Sequence, residues 1–209
     1  MKNNIGLLLS KRALINPERE AFVDSKSGLR LTFGQLNSRC NSLANGLVKL
    51  GIEPGDRVAL SLMNSVEFLE AYFAVAKIGG IVVPLNWRLV SDELEFILKD
   101  SGAETLIFGE EFVDVVADLH GRGGKTNVKN WLQVSVDNVN SDFAKNYERF
   151  RDKESNTEPD IRAEEDDLLY IMYTSGTTGL PKGVVHSHNT SIWALTTFIA
   201  STDLRGGDR

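Results

Sequence analysis

The stretch Gly55–Leu85, "GDRVALSLMNSVEFLEAYFAVAKIGGIVVPL", decides the fold class. Gly55-Asp56 is a turn signal, and a short, nearly continuous apolar run follows it. A run of that kind between turn residues reads as a strand covered on both faces. Ser65 stands where its hydroxyl can accept from the first amides of a helix. Val66, Leu69, Phe73 and Ala76 then recur at helical spacing, and Gly79-Gly80 closes the pattern. "IVVPL" is a second buried strand. Strand, helix and strand in so short a span form a βαβ unit, which pairs its strands in parallel.

The pattern continues on both sides. Ser91 opens a helix carrying Leu94, Ile97 and Leu98, and "ETLIFG" (Glu104–Gly109) is another strand. Upstream, Thr32 and Gln35 form a capping box for a helix with Leu36, Cys40, Leu43, Leu47 and Leu50 on one face, stopped at Gly51. Before it, "AFVDSKSGLRLTF" reads as a hairpin around a Ser-Gly turn. The class is therefore α/β, with a mostly parallel sheet flanked by helices. Past Phe112 the signal weakens. "WLQVSV" (Trp131–Val136) reads as a strand, and residues 138–167 as an acidic surface connection with one helical turn. "LLYIMY" (Leu168–Tyr173) returns to the core. A strand at Gly183–His186 and a helix from about Asn189 to Ala200 complete the pattern.

Composition narrows the function. The 209 residues are 42% hydrophobic and 25% charged, an ordinary globular mix for one domain or a tight pair of subdomains. A net charge of −6 does not favour nucleic acid or anionic membrane as a partner. Cys40 is the single cysteine, so no intramolecular disulfide forms; on its apolar stripe it reads as a small buried hydrophobe. No run approaches the roughly 20 apolar residues of a membrane span, and the N-terminus lacks a secretory pattern, so the chain reads as cytoplasmic.

The chemistry is concentrated in "YTSGTTGLPKGVV", Tyr173–Val185. Thr174, Ser175, Thr177 and Thr178 supply hydroxyl donors, and Gly176 and Gly179 let a ligand approach the backbone. Lys182 adds one compact cation. These are the parts of a polyanion site, and a triphosphate is the obvious ligand. The pattern is not G-x-x-x-x-G-K-[ST], whose lysine begins a helix. Pro181 biases Leu180 to extended geometry, and Val184-Val185 favour a strand. The loop therefore joins two strands, and its hydroxyls do work that a helix N-terminus does elsewhere. A Ser/Thr/Gly turn without a ligand is the bland alternative; the donor density and the single lysine weigh against it.

"YTSGTTGLPKGVVHSH" resembles the phosphate-loop motif of the adenylate-forming (AMP-binding) superfamily. "LTFGQLNSRCNSLANGLVKLGIEPGDRVAL", "EFLEAYFAVAKIGGIVVPLNWRL" and "ELEFILKDSGAETLIF" resemble the amino-terminal portion of its acyl-CoA synthetase branch. The resemblance runs from about residue 5 to 209 and is weakest over 113–160. It implies a reaction in which a fatty or aryl carboxylic acid attacks ATP to give an acyl-adenylate, which is then transferred to coenzyme A, with Mg²⁺ as the metal. It places Thr174, Ser175, Gly176, Thr177, Thr178, Gly179 and Lys182 around the β- and γ-phosphates. It also implies that residues 1–209 are the amino-terminal part of the AMP-binding domain. No Tyr-Gly-x-Thr-Glu motif, no Thr-Gly-Asp motif and no small carboxy-terminal lid domain follow the loop. The chain is accordingly expected to be a fragment, inactive or nearly so alone, with a non-catalytic phosphate- or partner-binding module as the alternative and a non-functional remnant as a third reading.

Other polar features are read as structural. His186 and His188 are two apart on a strand and lack a third ligand. His188 is expected to pack or hydrogen-bond behind the loop. Trp87-Arg88 is read as a structural feature after a strand end, and Glu164–Asp167 as solvated charge before a strand.

Overall fold

A computed structural model describes residues 4–135, 139–160, 163–175 and 179–204. Helix α1 (Gly6–Ile15) leads into a separate hairpin of β1 (Glu20–Val23) and β2 (Arg30–Thr32), as its Ser-Gly turn predicts. Helix α2 (Phe33–Lys49) begins at the expected capping box: the Thr32 hydroxyl accepts from the Gln35 amide, and the Gln35 side chain accepts from the Thr32 amide. Then come β3 (Arg57–Ser61), α3 (Val66–Lys77), β4 (Ile81–Pro84), α4 (Ser91–Ser101) and β5 (Thr105–Gly109). Ser65 caps α3 by accepting from the Phe68 amide. The remainder is α5 (Val113–Gly121), β6 (Asn130–Val134), β7 (Lys145–Asn146), α6 (Tyr147–Asp152), β8 (Leu168–Thr174), β9 (Lys182–Ser187) and α7 (His188–Ser201).

Seven strands form one sheet in the order β7-β6-β5-β3-β4-β8-β9. All neighbours pair in parallel except β8 and β9, which form an antiparallel hairpin at one edge. The α/β, mostly parallel reading is therefore correct. Alternate residues of each strand feed two cores. Val58, Leu60 and Ile107 face Leu43 and Leu47 of α2 and Val75 of α3. Ala59, Leu106 and Phe108 face Leu94, Ile97 and Leu98 of α4 and Leu119 of α5. Each fully buried leucine contributes about 2 kcal/mol of transfer free energy.

Three expectations change. α1 and α5 are helices where no element was read; α5 follows a short 3₁₀ turn, Glu110–Phe112, without a side-chain cap. The connection over 138–167 is not merely superficial. It supplies the edge strand β7 and α6, whose Tyr147 and Phe150 enter the core against α2. The third change concerns α3, which packs against the sheet, α1 and α2. Of the stripe Val66, Leu69, Phe73, Ala76 only Val66 and Ala76 are buried, Leu69 and Phe73 being half-buried, and the buried surface also takes in Ala71, Ala74, Val75, Glu70 and Lys77.

Because β8 runs parallel to β4, the turn after Thr174 lies at the carboxyl end of the sheet. The turns after β3, β4 and β5 lie at the same end, the edge at which open α/β sheets present their ligand sites.

Candidate functional site

The hydroxyl-glycine loop is the connection of the β8–β9 hairpin. Thr174, the last residue of β8, is paired across the hairpin with Lys182, the first residue of β9. Both are exposed, as is Ser175. Gly179 has φ +100°, in the left-handed region that favours glycine, so the chain can turn back here before Pro181. The expectation that the loop joins two strands is met. Thr174, Ser175, Gly179 and Lys182 are thereby brought to one tip. Gly176, Thr177 and Thr178 lie outside the described residues.

The tip rests on a fixed base. Ile171 and Tyr173 pack into the core beneath α4, whereas Tyr170 packs on the opposite face beside Tyr72. The Tyr173 hydroxyl donates to Asp100 Oδ2 at 2.6 Å, tying the residue before Thr174 to the end of α4. Burial and the Asp100 carboxylate both push the Tyr173 phenol well above its ordinary value, so it stays a donor. Gly183 faces the same ring. A Cβ there would meet Ile171 Cγ2 at 2.8 Å and Tyr173 Cζ at 3.2 Å, so the absent side chain lets the ring lie across the hairpin. Gly183→Ala is expected to displace Tyr173 and to destabilise the hairpin by about 1–2 kcal/mol. Hydrogen exchange at β8 amides should register this as faster opening.

Behind the tip, the two histidines separate. His186 is on β9 and stacks on Tyr170, with centroids 4.6 Å apart. His188 is the first residue of α7 and is fully buried; the two do not share a strand, contrary to the initial reading. His188 Nδ1 accepts from the Ile5 amide at 3.1 Å, which joins the start of α7 to the N-terminal segment and bears out its structural role. That bond assigns its proton to Nε2, which has no hydrogen-bond partner among the described residues. Burial holds the imidazole below its ordinary pKa, against an opposing pull from Asp167.

The remaining candidates behave as structural groups. Cys40 is fully buried, and burial pushes its thiol far above the range of a reactive thiolate. Arg88 lies over the Trp87 ring at 4.7 Å. Glu164–Asp167 form a turn: the Asp167 side chain accepts from the Glu164 amide, and the Glu165 and Asp167 carbonyls accept from Asn189 and His188. Among the described residues no three His, Cys, Asp or Glu side chains are grouped to hold a metal ion. No helix there is long and apolar enough to cross a membrane. Sequence reading missed Asp100 as the anchor of the loop. Nothing in the pattern at the end of a helix marks a carboxylate that meets a tyrosine far along the chain.

Residues 9–209 match the family model for the AMP-binding enzyme. The chain belongs to the AMP-binding enzyme family. One AMP-binding relative is the long-chain-fatty-acid–CoA ligase FadD13 of Mycobacterium tuberculosis, 39% identical over 207 residues, which cover 99% of this chain and 39% of the ligase. The feruloyl-CoA synthase of an Amycolatopsis species is 35% identical over 199 residues, covering 95% of this chain and 36% of that enzyme. The inhibitor-bound crystal structure of the N-terminal domain of FACL13 from M. tuberculosis superposes with a TM-score of 0.91 at 38% identity. That match covers all of this chain and 50% of the solved one. The chain thus spans about two-fifths of the length of the curated AMP-binding relatives it matches.

Proposed function

We propose that the tip of the β8–β9 hairpin is a cradle for the β- and γ-phosphates of ATP, serving carboxylate activation in an acyl-CoA ligase. The observation that carries this reading is the pairing of Thr174 with Lys182. It sets a hydroxyl donor and an ammonium on either side of one turn, with Ser175 beside them. The described part of the turn offers donors and a cation but no carboxylate, which fits a ligand of several anionic oxygens.

Within that reading Thr174 and Ser175 donate to phosphate oxygens, and Thr177 and Thr178 add the same chemistry from the sequence. Gly176 and Gly179 admit the phosphates to the main chain. Lys182 neutralises charge on the pyrophosphate that leaves when a carboxylate attacks the α-phosphate. The Asp100–Tyr173 bond keeps the tip in place, so little reorganisation is needed when the charge develops. Mg²⁺ would arrive with the nucleotide, and coenzyme A would take the acyl group. The match extends over 39% of the M. tuberculosis ligase. Acid binding and thiol transfer are therefore proposed for a full-length ligase, with fatty or aryl acids as substrates. These 209 residues alone are expected to bind phosphate without turnover.

Phosphorus NMR of Mg·ATP with the chain tests the assignment. The β and γ resonances are expected to broaden and shift more than the α resonance, and the effect should disappear in Lys182→Ala. A charged hydrogen bond of about 1.5–3 kcal/mol corresponds to roughly ten- to hundredfold weaker binding in that variant. Equal perturbation of all three phosphates, or the same perturbation in Lys182→Ala as in wild type, would count against the cradle.

A further inference from the structure

The residues ahead of α1 are built into the base of the β8–β9 hairpin. Asn4, Ile5 and Gly6 are all buried. Asn4 Nδ2 donates to the Ala163 carbonyl at 3.2 Å, and Asn4 Oδ1 accepts from the Gly6 amide at 2.7 Å. Ile5 packs with Ala76, Leu169 and Ile192. Gly6 lies hard against α3, where a Cβ would meet Lys77 Cα at 2.8 Å. His188 closes this strap. Its Nδ1 accepts from the Ile5 amide, and its own amide donates to the Asp167 carbonyl at 3.1 Å. One residue thereby joins the strap, the turn before β8 and the start of α7. Asn4, Ile5, Ala163 and His188 are enclosed by this chain itself, so the arrangement does not depend on any open surface.

We propose that His188 is an acid-operated latch: the neutral imidazole holds the Asn4–Gly6 strap on the hairpin base, and uptake of one proton releases it. The latch needs the lone pair on Nδ1. A proton there turns the acceptor into a donor, and two N–H groups then face each other across the 3.1 Å contact. Nε2 has no hydrogen-bond partner among the described residues, so the buried imidazolium has no acceptor to exchange for the one it loses. Asp167 pulls the ring towards the charged form, but burial outweighs it and holds the imidazole below its ordinary 6.5. The other titratable groups on the surrounding elements are Glu164, Glu165 and Asp166 of the same turn, Tyr72 and Lys77 of α3, Tyr170 and His186. The Lys77 ammonium is engaged by Asn37, Asn41, Ser10 and Glu158, and His186 stacks on Tyr170. The strap and the rest of α7 carry no charged side chain. Release returns His188 to its ordinary pKa, so the released state binds more protons between that value and the lower latched one. The latch is therefore closed above about pH 6.5 and weakens as the pH falls below it. The inference is independent of the phosphate reading, since neither Thr174 nor Lys182 takes part.

Amide hydrogen exchange of the 209-residue chain tests the latch, with protection corrected for the intrinsic pH dependence of exchange. Protection of the Ile5–Leu8 amides is expected to fall about tenfold between about pH 7.5 and about pH 5.5, the ratio by which a free imidazole of ordinary pKa gains protons over that range. Amides of α2 should keep theirs, which separates strap release from unfolding. In His188→Asn the amide oxygen stands where Nδ1 does and does not titrate, so the strap should stay protected at both pH values. In His188→Ala, with no acceptor, it should be unprotected at both. In wild type the Ile5 amide resonance should also titrate with the same midpoint as the His188 ring, below the ordinary histidine value. Wild-type protection that is equal at both pH values, or a pH dependence that persists in His188→Asn, would overturn the latch. So would a loss shared by α2, or separate midpoints for Ile5 and His188.

Discussion

Glu70→Ala is expected to destabilise the fold by about 4 kcal/mol, as breaking a buried ion pair from one side does. Glu70 lies on α3 and has no exposed surface. Its Oε2 accepts from the Tyr147 hydroxyl at 2.9 Å and from Arg151 Nη1 at 2.8 Å, while Oε1 accepts from Arg39 Nε. Tyr147 is fully buried and Arg151 nearly so. Truncation leaves the Tyr147 phenol without its acceptor and the Arg151 guanidinium with only Asp152, whose Oδ1 accepts from Arg151 Nε at 2.7 Å, in a place where water does not readily replace Glu70. The same network pins α6 to α2 and α3, so unfolding of the 138–160 region should lead the loss. Chemical denaturation measures the effect. A loss below about 1 kcal/mol with an unchanged m value would mean that water reaches the site. Replacing Glu70, Tyr147 and Arg151 together by apolar residues of similar size should restore much of the stability.

Glu158→Ala is the second large effect, at about 2 kcal/mol, below the range for a fully buried pair because Glu158 keeps solvent contact. Lys77, wholly buried on α3, is held by Asn41 Oδ1 at 2.8 Å, Asn37 Oδ1 at 2.9 Å, Ser10 and Glu158. Glu158 also accepts from Asn41 Nδ2 at 3.0 Å, so one carboxylate ties the end of the connecting segment to α1, α2 and α3. Burial pushes its pKa up, but the hydrogen bonds from Lys77 and Ser10 outweigh this and hold it below the ordinary 4.5. A lowered folded pKa stabilises above the unfolded value, and that stability is lost as pH falls through the folded value. Wild-type stability should therefore drop below pH 4.5 more steeply than that of Glu158→Ala. Parallel pH profiles for the two would contradict this account of the bridge.

The parts of the fold that were legible are those where local signals agree. The Thr32 and Ser65 caps, the apolar runs of β3, β4 and β5, and glycines at helix ends all point to one βαβαβ core. What was not legible depends on partners distant in sequence. Glu70 and Lys77 lie outside the apolar stripe read for α3, and nothing local announces their partners Arg151 and Glu158. Tyr147 and Phe150 sit in a polar segment, and only contact with α2 makes them core. α5 lacks a side-chain cap, which left the end of β5 without a visible successor. At the site, Pro181 and the Val184-Val185 pair marked the loop as joining two strands, and Thr174 and Lys182 pair across that hairpin. The base of the site, Asp100 on Tyr173, is a long-range contact and left no local trace.

The central claim is that the β8–β9 tip binds phosphates through its hydroxyls and Lys182. Calorimetric titration of the folded 209-residue chain with Mg·ATP tests it most directly, with Thr174→Ala and Lys182→Ala as comparisons. The account predicts measurable binding at millimolar nucleotide or below, lost or weakened about tenfold or more in both variants. No heat from a folded wild-type sample, or equal binding by all three proteins, would contradict it.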